Sequence, residues 1–417
     1  MNNASEASER KSPMRRIVGG RRERAMDVMR VFNTLGEAIL RSWKKVDYDE
    51  KRFPVVAGNA LREAALERCV DVNALIAIVL LGAADGTLHQ DAGRFGDLRC
   101  VVYGHPRFYI EAFVWGTGTT AIHDHSLSGA FCLVGGGSIN SVYRFTEWER
   151  INSRFRIGTV IPVLLERLRV GDIRTINAGR SYIHSVFHIA EISGTVVVRS
   201  TLEEDALPQM VYRGGLFAVE PGLDGPYEEK IRAMAILLRY DRPEFYHALK
   251  ELIGVASLEE KYVLHRHFAS EWEEAPPAWR EDARRNMGKY WGLFRQAARR
   301  EGVIHAVTAL RGRWVKLELR CLLVCLVSDF GRDAIVELME KEWDRPFADV
   351  LDIWHSALVH DQGLADCEVS LIECMLGRPK ALAGLANSVE ACKHIIDSDI
   401  YRLFLLKQER LDGKVRP

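Results

Sequence analysis

The period of the hydrophobic pattern along this chain changes twice. The first stretch has helical spacing and predicts helices over Ala25–Trp43 and Leu61–Leu81, with Pro54 and Gly58 punctuating the gap. Near residue 98 the period shortens to two. Short β-rich runs follow at Leu98–Tyr103, Arg107–Trp115, Ala130–Val134, Ser138–Phe145, Ile173–Ile176, Tyr182–Phe187, Thr195–Ser200 and Met210–Tyr212. The turns Gly116-Thr117-Gly118 and Gly135-Gly136-Gly137 separate several of them. Many short strands with regular turn signals predict a sandwich or barrel. From Tyr227 onward the spacing is helical again, over Tyr227–Tyr240, Pro243–Ile253, Leu258–Trp272, Arg280–Arg300, Val315–Val327, Arg332–Lys341, Ala348–Val359 and Ile400–Glu409. Asp241-Arg242-Pro243 recurs as Asp344-Arg345-Pro346, and two separate helix starts with Pro in the first turn are the simplest reading.

The expected class is therefore α+β. A disordered basic tail covers 1–24, a β-barrel domain with a helical lead-in covers 25–220, and an all-α domain covers 225–417. Lys+Arg and Asp+Glu both count 57 in 417 residues. A chain of zero formal charge has no global field to draw it to nucleic acid or an anionic membrane, so neither is an expected partner. Residues 1–24 hold no apolar signal region, and the longest apolar runs, Ala74–Ala84 and Cys321–Val327, are too short to span a bilayer. The eight cysteines form no CxxC pair. Reduced thiols and a cytoplasmic location are the matching expectations.

The candidate chemistry lies in the β-rich zone. Residues i and i+2 of a strand share a face, so His123 and His125 of Ile122-His-Asp-His125 aim two imidazoles at one point. Neutral imidazole suits Fe, Zn, Cu and Ni. A third ligand comes from Gly179-Arg-Ser-Tyr-Ile-His184-Ser-Val-Phe-His188, where the offset from Gly179 favours His184 over His188. His188 shares the strand face of His184 and is a pocket candidate. Asp124, between the first two histidines, points the other way and reads as a structural hydrogen-bond acceptor. His265-Arg-His267 repeats the spacing in a helical pattern, where i and i+2 diverge by about 200°, so it reads as no ligand pair. Cys321 and Cys325 read as helix core.

The Trp115-Gly-x-Gly lead, the Ile-His-Asp-His core and the later lone His together resemble the cysteine dioxygenase family of cupins, over roughly residues 97–201. The resemblance implies a cupin-type β-barrel, or double-stranded β-helix, with short N-terminal helices in front. It implies a mononuclear non-haem Fe(II) centre on His123, His125 and His184, with O2 as co-substrate and a small carboxylate-bearing amino acid or thiol as substrate. Many cupins add a Glu ligand just after the second His. Ser128, Gly129 and Ala130 stand there instead, which again matches the thiol dioxygenases. Arg99 falls at the spacing of the family's carboxylate-gripping arginine. Arg99, Tyr182, His188 and Arg199 are thus the candidate catalytic side chains, and Tyr143 and Arg174 are further polar candidates. The family's Cys–Tyr crosslink positions fall at Ala130 and near Thr201, so both partners are missing. That loosens the substrate toward an unusual one in a specialised bacterial pathway. Two other readings stand beside this one. One is a cupin with Zn, Ni or Mn that runs isomerase or decarboxylase chemistry without O2. The other is a ligand-sensing cupin whose helical domain binds a partner or forms a homodimer.

Overall fold

The computed structural model describes residues 13–80, 96–116, 119–201 and 207–362, together with 369 and 372. The helix expected over Ile400–Glu409 lies outside the described residues, as do Leu81, Thr117, Gly118 and residues 1–12.

Three helices lead in: α1 (Pro13–Lys44), α2 (Phe53–Ala64) and α3 (Val72–Leu80). Helix α1 begins at Pro13, so it takes in the second half of the stretch expected as a tail. Its buried positions, Ala25, Val28, Phe32, Leu35, Ile39 and Trp43, recur every three or four residues and form one apolar stripe. The gap expected around Pro54 and Gly58 is itself helical, because Pro54 fits the first turn of α2, and the helix expected over Leu61–Leu81 is broken between the end of α2 and α3. Ala65 takes a left-handed conformation (φ 43°) that ends α2, and the Asp71 carboxylate accepts from Ala74 N at 2.8 Å to start α3.

Eleven strands follow: β1 (Leu98–His105), β2 (Phe108–Trp115), β3 (His123–His125), β4 (Gly129–Gly135), β5 (Ser138–Arg150), β6 (Phe155–Leu168), β7 (Ile173–Ile176), β8 (Gly179–His188), β9 (Ser193–Ser200), β10 (Val211–Arg213) and β11 (Phe217–Val219). They form a five-stranded antiparallel sheet in the order β1-β2-β9-β4-β7 and a closed antiparallel barrel in the order β10-β11-β6-β5-β8-β3. The long strand β6 is not among the runs that the pattern predicts. Its apolar positions lose their alternation at Ile161-Pro162-Val163-Leu164-Leu165, where it bulges against β5. Period-two burial sorts the five-stranded sheet into faces. Ala112, Val114, Ala130, Cys132, Val196 and Val198 pack against α1–α3. Phe113, Trp115, Phe131, Leu133 and Val197 pack against Leu168, Ile176 and Tyr182 in the interior between the two sheets.

The helical region comprises α4 (Glu228–Tyr240), α5 (Arg242–Val255), α6 (Leu258–His267), α7 (Ala269–Glu274), α8 (Pro277–Met287), α9 (Tyr290–Ala309), α10 (Leu317–Val327), α11 (Arg332–Trp343) and α12 (Phe347–Ser356). Two of the expected helices are each split. Phe268 leaves the helical region between α6 and α7, and Gly288, at φ 55°, separates α8 from α9. The two Asp-Arg-Pro triplets play different parts. The Asp241 carboxylate caps α5 through Glu244 N at 3.1 Å, whereas Asp344 ends α11 at φ 49°.

The helices cover the outside of the barrel through two cores. Phe155 and Phe217 of the barrel pack with Phe245, Tyr262 and Phe294, while Ile139, Ile183 and Phe187 pack with α10–α12. Arg311, 2% exposed, reaches from the turn after α9 into the sheets and donates to the carbonyls of His188 (2.6 Å), Ala190 (2.9 Å) and Gly116. Among the described residues Cys69, Cys100, Cys132, Cys321 and Cys325 form no disulfide, and the last two are buried in α10 as expected. Among the described residues no helix is long and apolar enough to cross a membrane.

The turn joining β4 to β5 requires glycine. Gly136 sits at φ 76°, and a Cβ there would lie 2.4 Å from the Ile192 carbonyl oxygen. Gly136→Ala is expected to lose about 2 kcal/mol or more in urea unfolding, from the left-handed conformation and the clash together. Gly222→Ala, which meets nothing within 4 Å, is expected to stay within about 0.5 kcal/mol of the parent. Equal losses at the two sites would contradict this turn geometry.

Candidate metal centre

Strand pairing brings the three histidines together. His123 of β3 is the register partner of His184 of β8, and an irregularity in that pairing follows before His125. One nitrogen from each ring lies within 4.8 Å of the other two, and all three side chains are buried. This is the only group of its kind among the described residues.

Hydrogen bonds outside the cluster set the tautomers. His123 donates Nδ1–H to the Ala121 carbonyl at 2.8 Å. His184 donates Nδ1–H to Asn140 Oδ1 at 3.0 Å. The amide of Asn140 is oriented for this because its Nδ2 donates to Glu166 Oε1 (2.8 Å) and to the Tyr182 hydroxyl (3.3 Å). Both rings therefore turn a bare Nε2 inward. His125 Nε2 lies 3.1 Å from His184 Nε2. Two imidazole lone pairs at that distance repel unless a proton or a cation sits between them. Nitrogens sharing one ion at about 2.1 Å would stand about 3.0–3.4 Å apart, so His125 and His184 have the spacing of two ligands to one ion, and the His123 nitrogen beside them completes a donor set of the type that holds a metal.

Asp124 faces the other way, as expected for a structural acceptor. It accepts from Met210 N (2.6 Å) and the Tyr212 hydroxyl (2.8 Å), which ties the His-Asp-His strand to β10. His265 is buried and stacked on Trp272 at 4.9 Å, whereas His267 pairs with Asp224 at 3.1 Å, so this second His-x-His does diverge.

Burial drives all of the barrel imidazoles toward neutrality. It pushes His123 down to about 4, and His125 and His184 well below their ordinary range, with the Arg199 guanidinium acting in the same direction. His188 falls to about 3 through burial and the charge of Arg311.

The cavity at the cluster has a volume of about 40 Å³. Its walls are mainly Trp115, Phe131, Leu133, Ile176 and Val197, and its polar contributors besides the three histidines include His188 and Arg199. Among the described residues no acidic side chain lines it. His188 is 1% exposed, stacks on Trp115 at 4.6 Å and is anchored through Nδ1 to Ser138 Oγ at 2.8 Å. Its Nε2 is buried with no hydrogen-bond partner among the described residues.

Arg99 and Arg199 flank one carboxylate, that of fully buried Glu111. Arg99 Nε lies 2.5 Å from Oε1 and Arg199 Nε 3.2 Å from Oε2. Of the two, Arg199 lines the cavity and Arg99 does not. The ring of Tyr182 lies 4.7 Å from that of His184, and Tyr182 forms part of the apolar packing behind the cluster rather than the cavity wall. Tyr143 is away from the cluster. Arg174 pairs with Glu166 at 2.6 Å, behind Asn140.

Ala130 points out of the barrel into the layer of α1–α3. No side chain at that position reaches the cluster, because strand alternation assigns the inward place to Phe131, whose ring lies 5.8 Å from that of His184. Thr201 lies past the end of β9 and lines no part of this cavity.

Asn140, Ser138 and Glu111 are functional neighbours that the sequence pattern did not single out. The available signal was parity. Ser138 and Asn140 are polar residues at alternate positions of a strand that pairs with the histidine strand.

Two outcomes follow. Asn140→Ala is expected to weaken metal binding about 10–100-fold in a chelator competition, with the fold intact; unchanged affinity would mean that the amide does not orient His184. Metal-free protein should also lose stability as pH falls. The unfolded chain takes up protons near pH 6.5, while folded His123, His188 and His265 refuse them down to about 4, 3 and 3. Stability is full above about 6.5 and falls toward pH 3, by up to about 1.4 kcal/mol per pH unit for each such group. His265→Phe should make that slope shallower by one proton, as read by urea titrations between pH 7.5 and 4.5.

No protein-family model and no curated protein matches the chain. Among solved structures, the chain is similar to the crystal structure of DMSP lyase DddQ from Ruegeria pomeroyi DSS-3, at 14% identity over 42% of this chain and 96% of that one, with a TM-score of 0.24.

Proposed function

We propose that this chain is a metal-dependent cupin enzyme. In this reading His123, His125 and His184 hold Fe(II), and the enzyme oxidises a small, carboxylate-bearing amino acid or thiol with O2. The observation that carries the proposal is the donor set. Three neutral imidazoles face a cavity that, among the described residues, has no acidic side chain, so a bound dication keeps its charge and favours an anionic substrate donor. At about 40 Å³ the cavity is far below the roughly 300–1,000 Å³ ordinary for organic ligands, so only the donor end of a small substrate enters it.

When bound, Fe(II) supplies Lewis acidity toward the anionic donor and the redox chemistry that activates O2. The chain supplies binding and orientation. Arg199, held on Glu111, takes the substrate carboxylate, since guanidinium matches a carboxylate with two parallel hydrogen bonds. His188 stays neutral and offers its unpartnered Nε2 to a polar group of the substrate, while Ser138 and the Trp115 ring fix its plane. The apolar walls exclude water, which strengthens each of these contacts.

The test is aerobic turnover by protein loaded with Fe(II), with an oxygen electrode and a panel of small thiols and amino acids. One iron per chain and stoichiometric O2 uptake are expected, with both lost in His123→Ala and His184→Ala. Arg199→Gln is expected to raise KM about 10–100-fold for substrates bearing a carboxylate and to leave their decarboxylated counterparts unchanged. Full turnover without O2, or with zinc in place of iron, would reject the oxygenase reading in favour of isomerase or decarboxylase chemistry.

A further inference from the structure

A second cavity lies on the other side of the histidine strand. Thr120 and Val186 border both cavities, whereas Ser185 and Phe187, of opposite parity on β8, line only this one. Its volume is about 600 Å³, and its far wall is α9, the end of α10 and Asp329. Pockets of 300–1,000 Å³ are the ordinary size for organic ligands.

The lining is apolar with one charged cluster. Ile122, Phe187, Val324 and Val327 form the apolar side and pack in one continuous core. The charged cluster has three guanidinium groups and two carboxylates. Arg300 is answered by Asp329 and by the Gly214 carbonyl at 3.2 Å, and Arg266 by Asp224 outside the cavity. That leaves Arg213 opposite Glu301 at 3.9 Å, too far for a hydrogen bond. Arg213 Nε and Glu301 Oε1 are both buried, and neither has a hydrogen-bond partner among the described residues. Buried polar atoms of this kind are rare because each carries the full loss of hydration. Burial pushes the Glu301 carboxyl up, against the opposing pull of Arg213, Arg266 and Arg300.

We propose that this cavity is a second ligand site, separate from the metal cavity, and that it takes an amphiphilic organic acid. The carboxylate sits on Arg213 and the apolar body lies along Phe187, Val324 and Val327. The helical region then has a binding role, because α9, α10 and the residues just beyond supply one side of the cavity.

Calorimetric titration of the full chain with octanoate, dodecanoate and indole-3-acetate, each against its uncharged alcohol or amide, tests the proposal. At least one acid is expected to bind saturably at one per chain, with its uncharged counterpart at least about tenfold weaker. Arg213→Gln should weaken that acid about tenfold or more. Ala298→Trp, which fills the cavity from α9, should abolish binding. Both variants should keep the parent's iron content and melting temperature. No saturable binding by any of the three acids would overturn the proposal, as would equal affinity in Ala298→Trp. Binding lost in His184→Ala, or competed by azide on the metal-loaded protein, would place the ligand in the metal cavity and overturn it equally.

Discussion

The register of β8 is the constraint on which the rest of the centre depends. A strand alternates its side chains, so His184, Val186 and His188 face the metal cavity while Ile183, Ser185 and Phe187 face the helical layer. The pairings His123 with His184 and Ser138 with His188 lock that parity from both neighbours. A slip of one residue would exchange the two faces, burying Ser185 against the first two histidines and turning both inward histidines into the helical core. Arg311 adds a clamp at the end of the same strand by bonding the His188 carbonyl from the helical side.

Around that strand the cavity walls are mainly apolar and, among the described residues, carry no acidic side chain, and this gives the histidines their character. Imidazoles buried among Trp115, Phe131 and Leu133 cannot carry protons near neutrality, and the nearby Arg199 raises the penalty further. The same environment would be intolerable for a lone guanidinium. Fully buried Glu111 resolves this by sitting between Arg99 and Arg199, so that one cation can approach the cavity while the other is committed to the carboxylate. The result is a small pocket with positive character and neutral nitrogen donors.

Much of this was legible in the residue pattern, and the rest was not for identifiable reasons. Eight strands were readable because half-buried strands alternate. Strand β3 was too short for a period to register, although its His-Asp-His spacing marked its function. Strand β6 was hidden because it bulges near Pro162 and carries the exposed apolar residues Val163 and Leu164 in succession there, which breaks the alternation. The helix breaks at Ala65, Phe268 and Gly288 depend on single backbone conformations that no apolar period reports. At the site, the His123 and His125 pair could be read because i, i+2 spacing on a strand encodes geometry directly, and His184 through the resemblance to a family motif; the fold brings the three together. The division of labour between Arg99 and Arg199 could not, since it depends on a carboxylate on a strand between theirs. Ala130 matched a family position in sequence but faces outward, which only the strand's parity in three dimensions reveals.

X-ray absorption at the iron edge of the Fe(II)-loaded chain tests the central claim most directly. The account predicts a first shell with three imidazole scatterers in the wild-type protein, one fewer in His184→Ala, and no protein carboxylate or sulfur. A shell that lacks the imidazole signature, contains a sulfur or side-chain carboxylate ligand, or is unchanged in His184→Ala would contradict it.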